Sequence, residues 1–164
     1  TEDVDQFVMK TLAEYREKRM CNVTSDDLGL ETEEEKKDAE QKEEEYKDLL
    51  DFAKEALDGK VSSVRISHKL KNHAVLLTSE GHITLEMEKY FAEMPGSEDE
   101  KMKAQRVLEL NASHPAFKAL DDAFLNDKEK AKDLIKIMYA QASIMAGLPL
   151  DDAVGYSDLV FKLF

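Results

Sequence analysis

Histidine, cysteine and carboxylate side chains can hold a metal or move a proton, and this chain spaces them for neither task. Its histidines, His68, His73, His82 and His114, stand in unrelated contexts. His68 and His73 straddle a turn and Cys21 is the one cysteine, so no zinc set of Cys and His can be assembled. Carboxylates are abundant but concentrate in a charged run from Glu33 to Glu45, where water leaves no reason for raised pKa values. The chain has no glycine-rich phosphate loop, no Gly-x-Ser-x-Gly elbow and no Cys-x-x-Cys pair. Asn22-Val23-Thr24 and Asn111-Ala112-Ser113 match a glycosylation sequon that is common by chance. The expectation is no catalytic residue and no metal site.

What the sequence offers instead is contact chemistry. From Ala131 to Gly147, Leu134, Ile135, Met138, Ala142 and Met145 form one apolar stripe at helical spacing, while Ile137, Tyr139, Ile144 and Ala146 coat much of the rest. After the Gly147-Leu148-Pro149 break, Val154, Tyr156, Leu159, Val160, Phe161, Leu163 and Phe164 repeat the pattern. A surface helix needs one apolar stripe, so helices greasy on two sides are covered on two sides. The second cover is expected to be another copy of the chain. A homodimer interface is therefore placed on Leu134, Ile135, Met138, Ala142, Met145, Val154, Leu159, Val160, Phe161, Leu163 and Phe164. The competing reading is that both helices fill a monomer's core.

A separate stripe runs through His82 to Met94, where Ile83, Met87, Tyr90, Phe91 and Met94 share one helical face. Hydrophilic turn formers flank it, Ser79-Glu80-Gly81 before and Pro95 to Glu100 after, so the helix is expected to swing on its linkers. Methionine and aromatics make an adaptable surface suited to many partners. The plainer alternative is that the stripe packs on the strands as core.

These segments need a scaffold. Helical spacing predicts a helix over residues 3–15, followed by a short strand or extended link over 18–24 and a connector rich in turn formers. A long helix is expected from the Thr32/Glu35 capping box to Gly59, charged in its first half and striped by Tyr46, Leu49, Leu50, Ala53 and Leu57 in its second. Strands are expected at Val61–Ile66, Ala74–Thr78 and Arg106–Asn111, then a helix capped by Ser113 with Pro115 in its first turn. The fold class is α+β: a small mixed or antiparallel sheet of about three strands with helices, ending in a helical dimerisation hairpin.

Bulk composition bounds the function. Acidic residues outnumber basic ones 36 to 23, for a net charge of −13, which disfavours nucleic acid and anionic membrane surfaces as partners. No apolar run is long enough to span a bilayer, and the lone cysteine suits a reducing cytoplasm. The chain opens on Thr1 and reads as a piece of a longer protein whose catalytic module lies upstream.

Several stretches resemble the heat-shock protein 90 chaperones. Asp5-Gln6-Phe7-Val8-Met9 to Glu14-Tyr15 is similar to the end of that family's middle domain. Glu44-Glu45-Tyr46-Lys47-Asp48-Leu49-Leu50, Val64 to Leu70, Leu108-Glu109-Leu110-Asn111 with His114-Pro115, Lys132-Asp133-Leu134 through Gly147, and Leu150-Asp151-Asp152 resemble its C-terminal domain. The chain lacks the acidic Met-Glu-Glu-Val-Asp tail of eukaryotic cytosolic members and so is nearer the bacterial ones. Ala74, Ala112 and Ala153 stand where the family often has proline; Ile83 and Tyr90 replace other apolar residues and keep the face greasy. The resemblance implies residues 1–25 as the end of the middle domain with its linker and 26–164 as the C-terminal dimerisation domain. It implies a constitutive homodimer through a four-helix bundle and a client-facing set of Ile83, Met87, Tyr90, Phe91 and Met94 that meets unfolded or partly folded proteins. ATP and magnesium would belong to an N-terminal domain outside these residues. An acidic helical homodimer that is a plain interaction scaffold is the alternative function.

Overall fold

In a computed structural model the described residues are 5–20, 33–67, 69–93 and 103–163. The chain divides into two compact units, Thr1–Glu31 with Thr78–Arg106 and Thr32–Leu77 with Val107–Phe164. The boundary expected at residue 25 and the Thr32 half of the capping box lie outside the described residues.

In the first unit, α1 (Asp5–Leu12) runs into a small antiparallel hairpin of β1 (Glu14–Tyr15) and β2 (Lys18–Arg19), paired Glu14↔Arg19 and Tyr15↔Lys18. The helix is shorter than its periodicity suggests, and Tyr15 belongs to the hairpin. Ala13 closes the helix by donating its N–H to Met9 and turning left-handed at φ 50°, and the chain then reverses through Arg16 and Glu17, also at positive φ. Both central residues of the turn thus adopt the backbone that suits a two-residue hairpin, without glycine. The same unit holds α4 (Leu85–Glu93).

The second unit begins with α2 (Glu33–Glu45) and α3 (Lys47–Ala56). The expected single helix is therefore two. Backbone bonds run through the junction, Tyr46 to Lys42 and Leu50 to Tyr46 at 2.9 Å each, but Tyr46 itself relaxes to φ −101°, ψ 14°. The junction falls where the apolar stripe starts. Tyr46 packs edge-on against Phe117 at 4.9 Å, whereas the charged run before it has little to bury. Burial, then the Glu45 and Asp121 charges, raise the Tyr46 hydroxyl pKa, and burial, Asp122 and Glu45 raise that of Asp121. Leu49, Leu50 and Ala53 face inward, and α3 ends in a left-handed turn through Asp58 and Gly59.

Strands β3 (Ser63–Ile66), β4 (Val75–Glu80) and β5 (Gln105–Leu110) form a mixed sheet of order β3-β5-β4. β3 and β5 are parallel, in register from Ser63↔Val107 to Ile66↔Leu110. The central strand carries a run of buried residues, Val107 to Leu110, as a strand covered on both faces should. The one charge within that buried run, Glu109, accepts from Ser67 Oγ at 2.7 Å and pairs with Arg65 at 3.3 Å.

Helices α5 (Pro115–Asn126), α6 (Lys128–Met145) and α7 (Ala153–Phe161) complete the unit. Pro115 takes the first turn of α5 as expected, but the cap is His114, whose Nδ1 accepts from the Ala116 N–H at 3.1 Å. The Ser113 N–H donates to Asn111 Oδ1 at 3.0 Å. Asn111 also donates Nδ2 to the His73 carbonyl at 3.0 Å and its backbone N–H to Ala74 at 2.9 Å, tying the β3–β4 loop to the end of β5. At 3 % exposure it is an internal bracket, not a surface sequon. Replacing it with alanine removes the partner of the His73 carbonyl and the Ser113 N–H, in part-buried bonds, and should cost about 1–2 kcal/mol. Urea unfolding of Asn111→Ala should show a lower midpoint with an unchanged slope; an unchanged midpoint would remove Asn111 from that role.

Candidate functional site

Of the histidines, His114 is occupied as a helix cap, His73 and His82 are exposed, and His68 and Cys21 lie outside the described residues. Among the described residues no group of His, Cys, Asp or Glu is arranged to hold a metal ion. The surfaces that remain are apolar.

The α6–α7 hairpin is built by caps. Asp127 accepts the Lys130 N–H at 3.1 Å to start α6, and the Lys132 ammonium pulls the exposed Glu129 carboxyl pKa down in the first turn. Gly147, at φ 70°, ends α6, and the Leu148 N–H returns to Ser143 at 2.9 Å with its side chain buried. Asp152 then caps α7 through the Gly155 N–H at 2.8 Å. A Cβ on Gly155 would lie 2.2 Å from Asp152 Oδ2, so a larger residue there would displace the capping carboxylate. Lys162 pairs with Asp133 at 3.3 Å, Gln141 donates to the Tyr156 hydroxyl, and Lys60 reaches Asp151 at 3.1 Å.

The residues expected at a dimer interface divide into two groups. Ile135, Met138 and Ala142 are buried by the chain's own fold, which corrects their assignment to an interface, and Leu134 is half-buried. They face α3 and α5, whose apolar stripes are the nearest cover. By contrast, α7 buries none of its described side chains. Val154 is 73 % and Phe161 72 % exposed, Met145 and Leu163 are exposed, and Leu159 and Val160 are half-buried. Ile144 joins the exposed set, and Phe164 lies outside the described residues.

The expected client face changes more. Thr84 caps α4, accepting the Met87 N–H at 3.2 Å, so Ile83 precedes the helix and is half-buried. Leu85 and Met87 point inward, Met87 at 6 % exposure, which corrects its placement on an open surface. Tyr90 and Phe91 are half-buried, each edge-on to Phe7 of α1 at 5.2 and 5.4 Å; Met94 lies outside the described residues. Nor does α4 hang free. Glu88 accepts the Ala104 N–H at 3.0 Å and pairs with Arg106. Beside it, α1 exposes Val8, Met9 and Leu12, with Tyr15 following in β1.

A family profile described as Hsp90 protein matches residues 1–164. The chain belongs to the Hsp90 family. Among curated Hsp90 relatives, the chaperone protein HtpG of Bacillus subtilis (strain 168) is 44 % identical over 163 residues, 99 % of this chain and 26 % of its own length. HtpG of Clostridium acetobutylicum is 42 % identical over 163 residues, again 99 % of this chain and 26 % of its own length. The chain thus spans about a quarter of the length of the relatives it matches.

Within this Hsp90-family chain the sequence reading missed the Glu88–Arg106 pair and the Asn111 bracket, since the partners lie 18 and about 40 positions apart. It also missed the exposed α1 face, whose apolar residues look like any core stripe. The split of α6 has a direct thermodynamic consequence. Ile135→Ala should lower unfolding free energy by about 2–5 kcal/mol, whereas Phe161→Ala in a monomeric background should change it by less than about 0.5 kcal/mol. Chemical denaturation of both variants at low protein concentration checks this, and equal losses would place Phe161 in the core.

Proposed function

We propose that this chain is the homodimerisation and client-contact part of an ATP-dependent molecular chaperone of the cytoplasm. The observation that carries the reading is the uncovered apolar surface of the α6–α7 hairpin, in a chain whose relatives are named chaperones. Moving Val154 and Phe161 from water into a dry interface is worth about 1.5–3 kcal/mol for each side chain. A matching hairpin from a second copy offers the same side chains in return, the self-complementarity that a two-fold dimer needs. An obligate contact of this kind buries about 2,000 Å² or more. Family membership favours this reading over a plain acidic scaffold.

Client contact is assigned to Tyr90 and Phe91, with Ile83 beside them, because these members of the stripe keep part of their surface in solvent. ATP and magnesium are assigned to another part of a longer protein. No helix among the described residues is long and apolar enough to cross a membrane.

Light scattering at micromolar concentration should give about twice the 18.7 kDa chain mass. Val154→Glu with Phe161→Glu should return it to the single-chain value, and a dimer that survives both charges would move the interface elsewhere. For the client face, Tyr90→Ser with Phe91→Ser should at least halve suppression of a model protein's aggregation. Melting of the unit that holds α6 should be unchanged. Undiminished suppression would clear those aromatics of the role. Met87→Glu is unsuited to this test, because it buries a charge and destabilises the unit directly.

A further inference from the structure

We propose that the Glu88–Arg106 ion pair is a latch that keeps α4 folded down, so that the chain masks Met87, the buried member of its client face. The inference rests on the assignment of client contact to this helix. Glu88 sits in the first turn of α4 and serves two partners from one carboxylate, the Arg106 guanidinium and the Ala104 N–H at 3.0 Å. Both partners lie where the chain enters β5, in the same compact unit as α4, so one side chain ties the start of the helix to that segment. The pair is well shielded, Glu88 at 12 % and Arg106 at 15 % side-chain exposure, where losing one member leaves a charge in a poor solvent.

The latch holds down a greasy load. Met87, next to Glu88, is buried, as is Leu85 on another side of the helix, while Tyr90 and Phe91 one turn on remain half in solvent against Phe7. On the N-terminal side the helix is tethered through Gly81 at φ 80°, a residue able to absorb a large backbone change. Release of Glu88 therefore frees a short helix on a glycine tether and exposes thioether and leucyl surface next to the aromatics. The adaptable face foreseen from the sequence is the opened state; the closed state is the one described here. A client that binds the opened face better than the closed one shifts the balance towards it.

The test uses the 164-residue chain and two independent readouts. In the unmodified chain, amides of 85–93 should exchange at least about tenfold faster than those of 128–145, through an opening short of global unfolding. Glu88→Gln keeps the size and an acceptor for Ala104 but removes the charge. It should speed exchange at 85–93 by about a further tenfold and leave 128–145 unchanged. Peroxide oxidation of Met87, read by mass spectrometry, should rise towards that of the exposed Met9 and Met145 in the same molecule. The latch is overturned if Met87 stays protected in Glu88→Gln, or if α4 in the unmodified chain exchanges only together with α6. It is equally overturned if the variant loosens both regions alike, which is general destabilisation. Should α4 open without any gain in aggregation suppression, the latch stands and the client-contact assignment fails.

Discussion

A helix coated with apolar side chains around most of its circumference must be covered more than once, and α6 is the element on which that constraint falls. One side is satisfied internally, with Ile135, Met138 and Ala142 removed from water by the fold that also buries Val107, Leu108 and Leu120. The other side continues into Ile144 and Met145 and is joined by α7, which covers little of it and adds Val154 and Phe161 of its own. What holds α7 in place is largely polar: the Asp152 cap, the Lys162–Asp133 pair and the Gln141–Tyr156 bond. Exposed ion pairs and hydrogen bonds contribute little stability but fix direction. The hairpin is thus oriented by polar contacts while its grease stays available.

The internal cover depends in turn on a sheet whose central strand cannot carry loose polar groups. A parallel β3–β5 pair sandwiched on both faces leaves Glu109 and Asn111 out of water, and each is answered by several partners. The bracket at Asn111 does more than satisfy an amide. By holding the β3–β4 loop and receiving the Ser113 N–H, it sets the chain direction at which His114 and Pro115 open α5. A single buried side chain therefore links strand, loop and helix start.

Periodicity along the chain exposed most of this architecture. The strands at 63–66, 75–80 and 105–110 and the helices at 115–126 and 128–145 fall where alternation and helical spacing put them. Other features depend on distance in space. Ser113 and His114 are both able to cap, and it is the His114 ring that accepts the Ala116 N–H. Tyr46 breaks a helix whose local propensities are continuous, because Phe117, far along the chain, takes its ring. The inward turn of Met87 shows the same limit. A stripe of 83, 87, 90, 91 and 94 fixes one face of a helix, yet the Thr84 cap drops Ile83 from it, and packing rather than spacing decides how deep each remaining member sits. Spacing equally marked Ile135 and Phe161 as apolar, and only the fold separates a core residue from a surface one.

Exposed grease invites indiscriminate association, and the charge balance bears on why this need not follow. A net charge of −13 gives every copy the same sign, with a dense acidic run over Glu33 to Glu45. Repulsion of this kind acts over roughly a Debye length, about 8–10 Å at ordinary salt, whereas apolar attraction needs contact. Two chains therefore meet productively only where enough complementary surface touches at once to outweigh the field. A small scattered patch fails that condition; the α6–α7 hairpin facing its own copy can meet it. The stripe on α4 lies below such a threshold and is handled differently, with Met87 turned inward and the half-exposed aromatics leaning on Phe7. The two apolar surfaces thus separate by cover: the α6–α7 hairpin leaves Val154 and Phe161 in solvent, whereas α4 turns Met87 inward.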